Sequence, residues 1–255
     1  MILGALVLFF ALAWLLCRRL SFYSLVDVFW AFAFLPVVIL QGAGAGGWVP
    51  RRVLLASLMG LWSLRLTLHL GLRLAAHFPH EDRRYVALRE AKGVRWPLWS
   101  FVFFQGQGLV VWWLCRPFAG ICASPIPAWS WFEVVGFAAL ALAIAGEGLA
   151  DLQLARWRRA NPGKLCRQGL WAWSRHPNYF FQILLWVAVT MIAWPAGAIL
   201  SAALCALMMI HLILRVTGVP LAEKLSSARY GEEFGRYQRE VNSLVPWPPK
   251  SVRQG

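Results

Sequence analysis

The chain has 255 residues, of which 60% are hydrophobic and 14% are charged, and its mean hydropathy is +0.58. Soluble domains carry about 25% charged residues, so the composition excludes an ordinary soluble enzyme and indicates a polytopic membrane protein with a single domain over 1–255. The 25 Lys and Arg residues exceed the 11 Asp and Glu residues, which gives a formal net charge of +14. Because the basic residues lie between apolar runs, they indicate anionic lipids or an anionic cofactor as partners, and no nucleic acid.

Seven apolar segments approach the length of about 20 residues that a membrane-spanning helix requires. They predict an all-α fold with seven transmembrane helices at about 2–16, 22–40, 53–76, 97–114, 128–150, 179–194 and 196–214, and a cytoplasmic tail over 215–255. The first segment lacks a basic flank and a small-residue cleavage site, so we expect a retained span and not a signal peptide. We expect loops at Gln41–Gly47 and Arg116–Pro127, and a tight turn at Trp194-Pro195 between the last two spans.

The basic residues are distributed unevenly along this topology. If the N-terminus lies outside, 21 of the 25 fall on inner segments. Only Arg51, Arg52 and Arg116 fall on outer loops, and Arg65 falls inside the third span. The asymmetry predicts an outside N-terminus and a cytoplasmic C-terminus. The five cysteines form no CxxC pair, and whether Cys115 and Cys122 form a bridge on the outer side stays open.

Several ionisable residues lie inside the predicted spans, where they are costly and usually functional. Arg65, His69 and Arg73 recur every four residues and therefore share one helix face. Asp27 lies near the inner end of the second span, at a depth where it could face His69 or Arg73, and Trp30 lies one turn deeper. Two purely structural interpretations remain open: Arg73 could extend its charge to the membrane–water interface, and His69 could be a core histidine.

A second polar set follows the fifth span and opens the sixth. It joins carboxylates for ribose hydroxyls, an amide for a carboxamide and guanidinium groups for phosphates, and it consists of Asp151, Arg156, Arg158, Arg159, Lys164, Arg175, His176, Asn178, Tyr179, Glu223 and Tyr237. The usual excess of positive charge on cytoplasmic loops, together with an aromatic belt at the membrane interface, explains most of the single arginines. It does not explain Asn178 and Tyr179 at the start of an apolar span. The loop His77–Asp82 has two histidines but no second cluster, so no metal site is predicted.

Several motifs together resemble the steroid 5α-reductase family, and most closely its bacterial branch. Gly169-Leu-Trp171 and Ser174-Arg-His-Pro-Asn-Tyr179 resemble its signature. The resemblance continues through Asp27-Val-Phe-Trp30, Trp62-Ser-Leu-Arg65, Glu81-Asp-Arg-Arg-Tyr85, Gln105-Gly106, Glu147-x3-Asp151-x-Gln153, Gly218 to Glu223, and Tyr230 to Tyr237. Sterol reductases and isoprenylcysteine methyltransferases carry runs similar to the signature, but the combination is more specific.

The resemblance implies a seven-span, NADPH-dependent reductase of the bacterial inner membrane. It implies hydride transfer to the C4=C5 double bond of 3-oxo-Δ4 steroids or related lipid enones, in a monomer that takes NADPH from the cytoplasmic side. By position, the residues expected to bind the cofactor are Glu147, Asp151, Arg158, Lys164, Arg175, His176, Asn178, Tyr179, Glu223 and Tyr237.

The expected catalytic residues are Asp27, Trp62, Arg65 and His69, and the expected substrate-binding residues are Trp30 and Gln105. The chain departs from the family at four positions. Asp27 stands about where the family has a Gln-Glu pair, and Trp62 stands about where it has a Tyr. Glu147 stands where the family has an Asn, and Gln182 stands where the helix usually has an acid. Asp27 could donate a proton itself, or stay ionised and orient Arg65, His69 or a tryptophan N–H.

Two other classes of protein compete with the reductase. One is a membrane methyltransferase that acts on isoprenylcysteine or phospholipid with S-adenosylmethionine. The cationic set favours NADPH, which carries three phosphates, whereas S-adenosylmethionine carries none. The other is a transporter or lipid-binding protein, against which the absence of an inverted repeat argues.

Overall fold

The computed structural model describes residues 1–76 and 78–250, so His77 of the histidine-containing loop and Arg253 of the tail lie outside the described residues. In the described ranges the chain forms eleven α-helices and no β-strand, which confirms the all-α prediction. The chain divides into two compact units, Met1–Pro127 and Ala128–Gly255. The single domain over 1–255 stays a prediction.

Six helical stretches in the described part of the chain are long and apolar enough to cross a membrane. They are Ile2–Leu20, Tyr23–Gly44, Val49–Ala75, Arg83–Ala123, Trp131–Ala160 and Ile199–Tyr230. Pro177–Ala193 is a shorter apolar helix and coincides with the predicted sixth span. The helices support an integral membrane protein, whereas the count of seven spans and their orientation stay predictions.

The first unit contains six helices. They are α1 (Ile2–Leu20), α2 (Val26–Gly44), α3 (Val49–Ala75), α4 (Arg83–Lys92), α5 (Trp96–Leu114) and α6 (Arg116–Ala123). Helix α2 packs along α3, and α1 packs against α5. Helices α1 and α5 approach closely at Gly108, where a Cβ would lie only 2.9 Å from the ring of Phe10.

Three boundary predictions in this unit are wrong. The first span was expected over 2–16, but α1 continues to Leu20. The expected loop at 41–47 is helical up to Gly44, because the Arg52 guanidinium donates to the carbonyls of Gly42 and Ala43 at the end of α2. The expected loop at 116–127 begins with α6, in which a proline occupies the first turn, where no amide donor is needed.

The second unit contains five α-helices. They are α7 (Trp131–Ala160), α8 (Pro177–Ala193), α9 (Ile199–His211), α10 (Val219–Tyr230) and α11 (Glu232–Glu240). Helix α8 packs between α7 and α9, and a turn at Trp194-Pro195 separates α8 from α9, as predicted. At Gly146 in α7 a Cβ would overlap the ring of Phe181, so a larger residue there would require this ring to move.

Helix α7 is longer than the predicted span 128–150. Its 30 residues measure about 45 Å at 1.5 Å per residue, whereas the hydrocarbon layer is about 30 Å thick. The final turns, which carry Arg156, Arg158 and Arg159, therefore continue the helix past the apolar part. The five cysteines are buried thiols, and Cys115 and Cys122 form no bridge.

Candidate substrate and cofactor sites

Asp27, in the first turn of α2, is held by two donors from α4. Its Oδ1 accepts a hydrogen bond from the Tyr85 hydroxyl at 2.7 Å, and its Oδ2 accepts one from the Arg84 guanidinium at 3.0 Å. The same guanidinium also binds Asp82 at 2.9 Å. Helix α4 thus engages both oxygens of Asp27, and each oxygen keeps a further lone pair for another donor. The expected contact of Asp27 with His69 or Arg73 stays a prediction.

The loop before α4 is tied to the start of α2. The Glu81 carboxylate accepts from the Tyr23 amide at 2.5 Å, and the Ser24 hydroxyl accepts from the Asp82 amide at 3.0 Å. Asp82 then caps α4 by accepting from the Arg84 amide at 3.0 Å. Burial alone would raise the pKa of Asp82, but the hydrogen bonds and charge of Arg84 outweigh burial and lower it. These bonds fix α4 where Tyr85 reaches Asp27.

Trp30 and Gln105 have hydrogen-bonding groups that the described residues leave unused. The Trp30 indole N–H and both polar atoms of the Gln105 amide are buried and have no hydrogen-bond partner among residues 1–76 and 78–250. A buried polar group without a partner costs about 1–3 kcal/mol. Trp30 also packs edge-on against Phe34 at 5.0 Å. The two expected substrate-binding residues therefore keep hydrogen-bonding capacity that the described residues do not use.

The other expected catalytic residues lie on α3. Trp62 has no exposed surface and packs behind Phe34, at 5.1 Å between ring centroids. It could contact a substrate only if its neighbours moved. Arg65 and His69 are half-buried, one and two turns further along the same helix face. Their roles stay predictions.

In the second unit, Glu223 gathers donors from three segments, and we call this group the Glu223 cluster. Arg175 donates to Glu223 through Nε at 2.8 Å and forms an ion pair at 2.7 Å. His176 Nε2 lies 3.2 Å from the same carboxylate, and Gln238 donates to it at 2.9 Å. Arg175 also donates to the Gln238 carbonyl at 3.1 Å, and its side chain is only 10% exposed. The guanidinium of Arg175 therefore joins α8 to the C-terminal helices.

Two polar pairs cross the α7–α8 interface, one turn apart. Asn178 donates to the buried Asp151 at 3.4 Å. With the Gln182 amide nitrogen facing α7, Gln182 donates to both Glu147 oxygens at 3.2 and 3.3 Å and accepts from Trp186 at 3.1 Å. The interface thus has a carboxylate–amide pair at two depths, each able to bind hydroxyl or amide groups.

Tyr237 on α11 orders the segment before α8. Its buried hydroxyl donates to the carbonyls of Trp171 and Ser174, the latter at 3.2 Å. Burial raises the pKa of Tyr237, so the hydroxyl stays protonated and donates. The Trp171 indole in turn donates to the Ala150 carbonyl at 2.9 Å. Tyr237 therefore acts on the candidate cofactor site through the backbone. At the other end of this segment His176 stacks on Tyr179, with 5.4 Å between ring centroids.

A groove of about 700 Å³ opens at the C-terminal end of α7. It is lined by Gln153, Arg156, Trp157, Asn161, Gln168 and Gly169, among others. Gly169 has φ +57°, and a Cβ there would lie 2.6 Å from the Gln153 amide oxygen, so this wall requires glycine. Arg158 and Lys164, both expected to bind the cofactor, are exposed in the same segment.

The family model described as "Protein of unknown function (DUF1295)" matches residues 13–241. The chain belongs to the DUF1295 family. The match includes every residue that the sequence assigns to a site, from Asp27 to Tyr237. Comparisons of this DUF1295 protein with curated proteins and with solved structures found no match.

Several polar residues of this DUF1295 protein escaped the site assignment. Arg84 and Tyr85 were recognised only as parts of a motif, since nothing in sequence spacing predicts their bonds to Asp27 across 57 and 58 residues. Gln153 was likewise only a motif residue, and Arg156 was one cation in a run. Gln168 gave no sequence signal.

Proposed function

We propose that the protein is an NADPH-dependent membrane reductase that reduces the carbon–carbon double bond of lipid enones, with 3-oxo-Δ4 steroids as the model class. One support is that the DUF1295 family is related to the steroid 5α-reductases. The observation that carries the proposal is the unused hydrogen-bonding capacity of Trp30 and Gln105 inside an apolar helical unit. Such groups suit a mostly apolar molecule with one polar end.

The substrate oxygen is the group that these donors suit. When hydride adds to the β-carbon of an enone, negative charge develops on the carbonyl oxygen. The Trp30 N–H and the Gln105 amide can each donate to that oxygen, and both are buried, where such bonds are strong. Asp27 then acts as a positioning residue, because both of its oxygens accept from Arg84 and Tyr85.

The second unit supplies groups that fit a dinucleotide phosphate. Asp151 and Glu147 can accept from ribose hydroxyls or a carboxamide, and Asn178 offers an amide beside them. The exposed cations of α7 and the loop after it match phosphate charge. When bound, NADPH supplies the hydride. The Glu223 cluster and Tyr237 hold the segment Gly169–Tyr179 in place.

The proposal includes a topology of seven spans with the N-terminus outside, in the bacterial inner membrane. Its support is the distribution of basic residues, of which 21 of 25 lie on inner segments. This orientation gives the cofactor site to the cytoplasmic side. Reporter fusions after residues 46 and 255 should report opposite sides, and the same side for both would overturn the topology.

The activity is tested with purified monomeric protein in detergent and then in liposomes. The wild type should bind NADPH, oxidise it only when a 3-oxo-Δ4 steroid is added, and yield a product heavier by two hydrogens. The double variant Trp30→Phe, Gln105→Leu should bind NADPH normally but lose most turnover. Trp14→Phe is the matched control, since its indole N–H already donates to the Ser100 hydroxyl at 3.0 Å.

Two outcomes would overturn the proposal. Tight binding of S-adenosylmethionine with no NADPH binding would favour the methyltransferase. Full turnover in the double variant would remove Trp30 and Gln105 from the reaction.

A further inference from the structure

The second unit contains an excess of positive charge that its acids do not neutralise. No acidic residue occurs from 152 to 222, whereas Arg156, Arg158, Arg159, Lys164 and Arg167 lie in the first part of this range. Arg167 pairs with Glu240. The side chains of Arg156, Arg159 and Lys164 make no hydrogen bond or ion pair with any residue in 1–76 or 78–250. These exposed cations are therefore available to an anion from outside the chain.

Arg175, the cation expected to bind phosphate, is already engaged. Its guanidinium bonds Glu223 and the Gln238 carbonyl, and its side chain is 10% exposed. Moving it onto a phosphate would leave Glu223 without this partner. A phosphate would therefore be bound by cations outside the Glu223 cluster.

The groove at the end of α7 provides such a place. Arg156 lines it together with Gln153, Asn161 and Gln168. The Gln153 oxygen accepts from the Leu170 amide at 2.9 Å, which leaves its two amide hydrogens unused by the described residues. Gly169 brings the opposite wall close. The groove thus combines a guanidinium with amide donors in a space of about 700 Å³, a donor set suited to phosphate oxygens.

Position along α7 indicates which phosphate the groove holds. Arg156 lies five residues after Asp151 and nine after Glu147, or about 7.5 and 13.5 Å along the helix. The buried carboxylate–amide pairs suit the parts of the cofactor nearer the membrane, and the exposed groove suits its outer end. A phosphate monoester carries a charge of about −1.5 to −2 at pH 7, the most of any phosphate in NADPH.

We propose that this groove binds the 2′-phosphate of NADPH and that Arg156 is the residue that discriminates NADPH from NADH. The inference rests on the proposed function and names one subsite of it. The two cofactors differ only in this phosphate, so losing Arg156 should weaken NADPH and leave NADH unchanged.

The test is calorimetric binding of NADPH and NADH to the full chain, and of adenosine 2′,5′-bisphosphate and adenosine 5′-monophosphate as fragments. For Arg156→Ala we expect a roughly ten- to hundredfold loss of NADPH affinity, which is the effect of removing one charged hydrogen-bond donor, and less than about a twofold change for NADH. Arg156→Lys should restore part of the discrimination. Arg236→Ala removes an exposed cation of α11 that does not line the groove, and it should change neither affinity.

The outcomes separate this inference from the proposed function. If the wild type binds neither nucleotide, both fail. If the wild type prefers NADPH and Arg156→Ala keeps that preference, the groove assignment is wrong and the reductase stands. A third arm uses nanodiscs of neutral lipid with and without anionic lipid. If Arg156→Ala changes only the retention of anionic lipid, the groove binds headgroups and the proposal is wrong.

Discussion

Replacing Gln105 by leucine should stabilise the protein and impair its reaction. Both polar atoms of the Gln105 amide are buried without a partner among the described residues. Each such group costs about 1–3 kcal/mol, and leucine has a similar size without the polar atoms. Counting the amide as one group, we expect the free energy of unfolding to rise by about 1–3 kcal/mol. For a chain of this size, each kcal/mol raises the melting temperature by about 2–4 °C.

The assay is thermal unfolding in one detergent, without cofactor or steroid, followed by tryptophan fluorescence. Gln182→Leu is the matched control, because this buried glutamine bonds Glu147 and Trp186 across α7 and α8. Its loss removes the bonds that it makes with Glu147 and Trp186, so the free energy of unfolding should fall by about 1–3 kcal/mol. If Gln105→Leu lowers stability as Gln182→Leu does, Gln105 has a structural partner and the argument for a ligand there fails.

Three further changes test the surrounding structure. Tyr237→Phe removes the hydroxyl that bonds the Trp171 and Ser174 carbonyls, so the free energy of unfolding should fall by about 1–3 kcal/mol in denaturant titrations; no change would mean that these bonds contribute nothing. Glu223→Gln removes the counter-charge of Arg175 in a partly exposed pair, so the free energy of unfolding should fall by about 1–2 kcal/mol and amide hydrogen exchange across α10 and α11 should become faster. Unchanged exchange would mean that the Glu223 cluster does not stabilise these helices. The pKa of Asp82 is lowered in the folded protein, so its contribution to stability is present above the ordinary carboxyl pKa and is lost as pH falls through the lowered value. The difference in melting temperature between wild type and Asp82→Asn should therefore shrink below about pH 4. A difference that stays constant with pH would contradict the assignment.

The sequence predicted the apolar helices well because each is a long apolar run, whereas nothing in its hydropathy predicted the polar helices α4, α10 and α11. The predicted spans fall on helices, and the turn at Trp194-Pro195 follows from proline chemistry. The boundaries failed where a distant group decides them. Helix α2 continues to Gly44 because Arg52, eight residues later, binds the carbonyls at its end. Such capping depends on tertiary structure and leaves no periodic signal.

The candidate sites were predicted by residue type but not by partner. Asp27 was recognised as an unusual intramembrane acid, yet its bonds to Arg84 and Tyr85 span more than fifty residues. Glu147 and Gln182 illustrate the same limit. In the sequence they were two separate departures from the resembled family, an acid at an amide position and an amide at an acid position. In the structure they are one hydrogen-bonded pair, with the two groups exchanged between α7 and α8.

The central claim is that this chain transfers hydride from NADPH to an enone. The most direct measurement is a single-turnover reaction with NADPH deuterated at the transferable C4 position and a 3-oxo-Δ4 steroid, followed by mass spectrometry of the steroid. We expect a product that gains one deuterium, at the β-carbon, and one solvent hydrogen, at the adjacent carbon. A steroid recovered without deuterium, from protein that binds both ligands, would contradict it.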